Sequence, residues 1–232
     1  MFISDTGYYY WYGSRNNRIQ KWINGAINGS TVAGYIGTGS TLSLTYDCSG
    51  LYVDTAGNIY VSDAAFHHVA KWTPNANVSL LVAGTTSVPG SNLTQLNSPK
   101  GIWLDSLNNL YIADYANHRV MKWINGATNG IVVAGGQGQG PFSTQLNYPT
   151  SVVVDTNGNI FVLDSSNQRI QQWTIGAAFG ITVFDGSFNS AFASGSLSMA
   201  ADSIGNLYVA NTNGIGIWKI TLVSNSTCTG ET

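Results

Sequence analysis

Glutamate is nearly missing from this chain, occurring once, at Glu231. Charge of either sign is scarce: 9% of residues are charged and the net charge is −2. So few Lys and Arg cannot neutralise a run of phosphates, which argues against general nucleic-acid binding. No polybasic or acidic run marks a membrane-surface role. Cysteine is scarce too, and Cys48 with Cys228 makes neither a disulfide scaffold nor a metal cluster. One bridge and two separate thiols both remain open. No apolar run approaches the ~20 residues of a membrane span. The opening MFISDTGYYY lacks the basic segment and apolar stretch of a signal peptide. Two readings of the compartment follow: intracellular, or extracellular with this chain a fragment or processed form. Helical periodicity, a Gly-x-Ser-x-Gly elbow, a phosphate loop and paired catalytic carboxylates are all missing. GGQGQG from Gly135 to Gly140 precedes no helix and reads as a loop.

What the chain does contain is turn chemistry and strand chemistry. Gly, Asn, Ser and Thr are abundant and suit tight turns. Aromatic and β-branched residues fill the segments between them, as strands require. Trp22, Trp72, Trp123, Trp173 and Trp218 recur at intervals of about 50 residues, the sign of a repeat architecture. Three units align: LYVDTAGNIYVSDAAFHHVAKW from Leu51, IWLDSLNNLYIADYANHRVMKW from Ile102 and VVVDTNGNIFVLDSSNQRIQQW from Val152. A degenerate unit starts at Met199, and the chain opens inside a first one, with MFISD matching IYVSD.

Each unit reads as four short strands. In the second, these are Leu51 to Asp54, Ile59 to Ser62, His67 to Trp72 and Val78 to Ala83. The first is an apolar run expected to be buried on both faces, and the third is expected to be half exposed. The predicted fold is all-β: a β-propeller of about five four-stranded antiparallel blades, with an incomplete ring left open. Residues 1–232 are expected to form one domain, with blades near 1–34 (partial), 50–84, 100–135, 150–185 and 197–224 (partial). In the fifth unit the fourth strand is expected at Thr221 to Ser224. An open arc would leave unpaired edges and favour a dimer.

The recurring line D-x-x-G-N-[IL]-[YF]-[VI]-x-D, followed by N-x-R-[VI]-x-x-W, resembles the NHL repeat over nearly the whole chain. That resemblance implies a propeller, typically of six blades, in a family that includes interaction domains, RNA-binding modules and a peptide-amidating lyase. The family's ubiquitin-ligase members carry zinc modules upstream, and this chain has none. For the lyase the resemblance implies a metal held by three protein ligands and a water. Here His67 and His118 share a register without a separate third position, so no metal and no cofactor are assigned. Lactonase-like propellers hold calcium with Glu, Asp and Asn oxygens. The lack of an internal Glu argues against that chemistry.

Pairs Asp5–Arg18, Asp114–Arg119 and Asp164–Arg169 recur once per blade, which points to architecture, since catalysis rarely needs several copies of one pair. His68 stands where the second unit would have Arg. Asp54, Asp105, Asp155 and Asp202 sit where a strand enters a turn, a place where Asp accepts backbone N–H groups. Tyr8, Tyr9, Tyr10, Trp11 and Tyr12 lengthen the link between Asp5 and Arg18, and exposed aromatics on a loop suit recognition. This loop is expected to share a face with the crossings 35–49, 85–100, 136–150 and 186–197. Sequons at Asn28, Asn77, Asn92 and Asn225 permit glycosylation. The leading functional expectation is a non-catalytic interaction or scaffold module for a protein, peptide or glycan. A metal-dependent lyase or hydrolase is the alternative, and RNA binding is third.

Overall fold

The computed structural model describes residues 2–5, 18–34, 47–186, 197–202, 204–211, 216–222 and 230–231. They divide into two compact units, Met1–Pro99 and Lys100–Thr232. The first holds a three-stranded sheet, β1 (Phe2–Asp5), β2 (Arg18–Lys21) and β3 (Ser30–Gly34). It also holds a four-stranded sheet, β4 (Cys48–Val53), β5 (Ile59–Asp63), β6 (His68–Trp72) and β7 (Leu80–Gly84).

The second unit has three four-stranded sheets. One contains β8 (Ile102–Leu104), β9 (Leu110–Asp114), β10 (Arg119–Trp123) and β11 (Ile131–Gly135). The next contains β12 (Pro149–Val154), β13 (Ile160–Asp164), β14 (Arg169–Trp173) and β15 (Ile181–Asp185). The last contains β16 (Leu197–Ala201), β17 (Leu207–Asn211), β18 (Ile217–Ile220) and β19 (Gly230–Glu231). Strands pair antiparallel in chain order throughout, which is the blade topology of a β-propeller. Four blades are complete and the first has three strands. Among the described residues the helical turns are two short 3₁₀ segments, Tyr115–Asn117 and Ser165–Asn167, and no helix is long and apolar enough to cross a membrane.

The sequence patterns locate the strands but misassign their exposure. β5, β9 and β13, second in their sheets, are buried at every residue. β4, first in its sheet and expected to be buried on both faces, is only partly buried. The first strands of the next two sheets do meet that expectation, β12 being buried at all but one residue and β8 at two of three. The exposed strand is the fourth, not the third: β7 and β11 show their first two residues to solvent, while β6 is mostly buried. In the last sheet β18 pairs with β19, Gly230–Glu231; of the expected strand Thr221 to Ser224, Thr221 and Leu222 are not in a strand and the rest lies outside the described residues. A β-bulge recurs between third and fourth strands, at Ile19/Gln20, Val69/Ala70, Val120/Met121 and Ile170/Gln171.

Apolar faces meet between sheets inside each unit. In the first unit Ile19, Ala33, Ile59, Val61, Ala70 and Trp72 form one core. In the second, Val153, Phe161, Leu163, Met199, Leu207 and Val209 join β12–β13 to β16–β17. Burying side chains of this size contributes about 1.5–3 kcal/mol each. Polar links reinforce the packing. Gly101 N–H donates to Thr150 O (2.9 Å), and Met199 N–H donates to Ser151 Oγ (3.1 Å).

The turn between first and second strands is fixed by one aspartate each time. Asp155 Oδ1 accepts the N–H groups of Asn157 (2.9 Å) and Asn159 (2.8 Å), and its Oδ2 accepts Asn159 Nδ2 (2.7 Å). Asp54, Asp105 and Asp202 repeat this set. Asn206 leads the hydrogen bonding that brings the Asp202 carboxyl down to about 2.

Candidate functional site

The end of each blade that carries the second-to-third-strand turn also carries the long crossing to the next blade. Backbone bonds tie the two together in both units: Ser87 N–H donates to Phe66 O (2.8 Å), and Ser166 N–H donates to Asn147 O (3.1 Å). In each unit this end carries the Asp–Arg register positions and the histidines singled out in the sequence. The loop Tyr8 to Tyr12 lies outside the described residues, as do Asn225 and Cys228. Cys48 is in β4.

Arg119 Nε donates to Asp114 Oδ2 at 2.7 Å, with the Asp114 side chain fully buried. Arg169 Nε donates to Asp164 Oδ2 at the same distance. The Arg169 guanidinium also donates to the carbonyls of Pro141 (2.6 Å), Phe142 (3.0 Å) and Gln145 (3.0 Å), fastening the crossing loop. Burial pushes the Asp164 carboxyl up from its ordinary value, against the hydrogen bonds that favour its charge. β1 and β2 place Asp5 opposite Arg18 in register. In β4–β7 the arginine position holds His68. Asp63 Oδ1 there accepts the N–H groups of Ala65 and Phe66, both at 3.0 Å, and His68 Nδ1 is buried without a hydrogen-bond partner. Burial lowers the His68 pKa, while the Asp63 charge opposes that shift.

His67, His118 and Gln168 occupy one repeat position, each in the left-handed region at φ 57°, 53° and 54°. Both histidines cap the following crossing: Ser98 N–H donates to His67 Nδ1 (3.0 Å), and Tyr148 N–H donates to His118 Nδ1 (3.2 Å). An imidazole that accepts at Nδ1 while neutral carries its proton on Nε2. Burial lowers the His118 pKa, which favours that neutral form. Each histidine therefore offers a donor N–H at Nε2. A metal-ligating histidine needs the reverse, a bare nitrogen toward the metal and a donor N–H behind it. Among the described residues no group of three or more His, Cys, Asp or Glu is placed to hold a metal ion. These residues do not fit a metal, and no step is derived through one.

Sequence reasoning missed an aromatic cluster at this end of β8–β11. The His118 ring meets Tyr148 edge-on (4.5 Å between centroids), Tyr148 packs on Tyr115 (4.8 Å), and Lys100 Nζ lies 5.6 Å from the Tyr115 centroid. Only His118 had been singled out. Tyr115 shares the β9–β10 turn with His118, but Lys100 and Tyr148 come from two separate crossings, so no single linear motif holds the cluster.

The NHL repeat family model matches residues 96–123 and 146–173. Peptidyl-alpha-hydroxyglycine alpha-amidating lyase 2 of Drosophila melanogaster is 34% identical over 91 residues, which is 39% of this chain and 22% of that protein. Peptidylglycine alpha-amidating monooxygenase of Rattus norvegicus is 32% identical over 84 residues, 35% of this chain and 9% of that protein. The chain thus spans about a fifth or less of the length of these relatives. A streptogramin B lyase structure superposes with a TM-score of 0.59 at 15% identity, over 93% of this chain and 62% of that one. Virginiamycin B lyase from Staphylococcus aureus gives 0.58 at 12% identity, over 94% and 63%. At such identities the likeness is one of fold. The expectation of a non-catalytic interaction or scaffold module is corrected by these relatives, which are named as lyases and monooxygenases. Two segments of the chain thus match the NHL repeat, and the whole has the blade topology of a β-propeller.

Proposed function

We propose that this chain belongs to a propeller lyase that acts on an N-acylated α-hydroxyglycine, as the amidating lyases do by name. The 34% identity over 91 residues to the fly lyase carries this reading. In the reaction the bond between the amide nitrogen and the hydroxylated α-carbon breaks. The hydroxyl oxygen becomes the carbonyl of glyoxylate, its proton is lost, and the nitrogen takes up a proton to leave as a primary amide.

The crossing-loop face of the second unit supplies groups suited to such a substrate. The Lys100 ammonium beside Tyr115 provides a cation for the substrate carboxylate. His118, neutral with its proton on Nε2, adds a hydrogen-bond donor that leaves the acid ionised. The Tyr115 and Tyr148 rings give an apolar wall.

The test is direct. N-benzoyl-α-hydroxyglycine is incubated with the purified chain, and glyoxylate is measured with and without added divalent metal. Release above the spontaneous rate, weakened by Lys100→Ala mainly through KM, is the expected outcome. Release no faster than in buffer under every metal condition would sink the reading.

A further inference from the structure

At the other end of the blades, a repeated trio holds a cation. Lys122 Nζ lies 4.9 Å from the Tyr111 ring centroid and 3.8 Å from Asp105 Oδ2. Lys71 Nζ lies 5.2 Å from the Tyr60 centroid, and its charge is felt at Asp54. Cross-strand register puts each lysine opposite its tyrosine, Lys122 facing Tyr111 and Lys71 facing Tyr60. The pattern is an ammonium between an aromatic face and the carboxylate of the turn.

The sheet β12–β15 keeps the carboxylate and the ring but not the cation. Its register sets Gln172 opposite Phe161, with Asp155 at the turn. Among the described residues Asp155 has no ion-pair partner. A cavity of about 430 Å3, lined by Asp155 and Phe161 but not by Gln172, opens beside them between the β12–β13 and β16–β17 turns inside the second unit. Trp103, Phe161, Leu207 and Leu222 supply apolar walls, and Asp155 and Asp202 supply charge. Among the described residues no Lys or Arg lines it. The Asp202 carboxyl, held near 2, stays ionised at neutral pH.

We propose that this cavity binds an organic cation, a primary ammonium on an apolar body, whose charge takes the place that Lys71 and Lys122 fill in the sister blades. Its volume suits a small ligand. Aromatic faces with a carboxylate nearby favour an ammonium over a neutral group of the same shape. The site lies at the turn end, away from Lys100 and His118, so it stands whether or not the chain releases glyoxylate.

4-Phenylbutylamine serves as probe, with 4-phenylbutanol as its neutral counterpart. Binding to the full chain is followed by the indole N–H NMR signals. The amine is expected to bind at least about fivefold more tightly than the alcohol and to shift the Trp103 signal. Gln172→Lys restores the residue of the sister blades and is expected to abolish amine binding without lowering the melting temperature. Asp155→Asn, which keeps an oxygen for the turn amides and leaves Asp202 charged, is expected to cut the preference for the amine at least in half, and an unchanged preference would overturn the proposal; it carries the test should Gln172→Lys not fold. Equal binding of amine and alcohol, no binding of the amine, or amine binding unchanged in Gln172→Lys would each overturn the proposal.

Discussion

In β8–β11 and β12–β15 the buried aspartate closing the second strand faces an arginine, whereas in β4–β7 it faces His68. The arginine does two tasks at once. It neutralises a desolvated carboxylate, and at Arg169 it holds three carbonyls of the next crossing. The histidine does neither through its buried Nδ1. Asp63 leans instead on backbone N–H groups, and the crossing is fastened from next door by His67. The repeat thus accepts a histidine in the arginine position where backbone amides support the carboxylate and a neighbouring side chain ties the loop.

The largest expected effect tests that contrast. Arg169→Met strands a buried carboxylate and is expected to cost about 3–5 kcal/mol. His68→Met leaves no charge behind and is expected to cost under about 1 kcal/mol. Urea denaturation of both variants decides the matter, and equal losses would erase the distinction between the blades. Next in size is a backbone comparison. Gly135 has φ +67°, and a Cβ there would stand 2.7 Å from His118 O, whereas Gly126 at φ +81° meets nothing within 4 Å. Gly135→Ala is expected to cost about 3 kcal/mol, combining strain with a clash, and Gly126→Ala about 1 kcal/mol. A Gly126 variant as damaged as the Gly135 one would show that conformation alone, not crowding, governs both.

Where the blades are alike, their responses should match. Asp54→Ala and Asp155→Ala remove the same turn bonds, each with an expected cost of about 1–2 kcal/mol. A difference much beyond that range would mean that the surrounding sheets, not the turn, set its worth. The smallest effect is in pH. Burial depresses the His68 pKa below its ordinary 6.5, against the Asp63 charge and with that of His67. The unfolded chain then binds the proton more readily than the folded one. Stability present above pH 6.5 is lost as pH falls through the lower folded pKa. His118 shifts in the same direction. Melting temperatures at pH 7.5 and 5.5 should fall less for His68→Gln than for the parent chain, and identical falls would exonerate His68.

The repeat was legible because each blade spends the same residues on the same local tasks. Asp155 with Asn159, or Trp173 facing Ile160 in register, are decided within one hairpin. Exposure was less legible. An apolar run such as Val152 to Val154 reads as buried on both faces, but whether Leu51 to Val53 shares that burial depends on what packs against the sheet from other parts of the chain. The aromatic cluster of Tyr115, His118 and Tyr148 joins the β9–β10 turn to the following crossing, and the cavity beside Asp155 joins two hairpins. Neither leaves a spacing in the sequence. The substitution of Gln172 for lysine was visible, but its meaning required Lys122 to be seen over Tyr111. Enzyme kinship, too, left no elbow or loop signature to find, and it emerged only from likeness to named lyases.

The bulge recurring between third and fourth strands bears on how large a blade can grow. In four of the five sheets the outermost strand runs one residue out of step with its neighbour, so its free edge is turned and its amide spacing disturbed. A fifth strand arriving there would meet a warped template, although Leu80, Leu81, Ile131 and Val132 lie open to solvent. In those four sheets the outermost strand carries its own terminator beside an apolar rim.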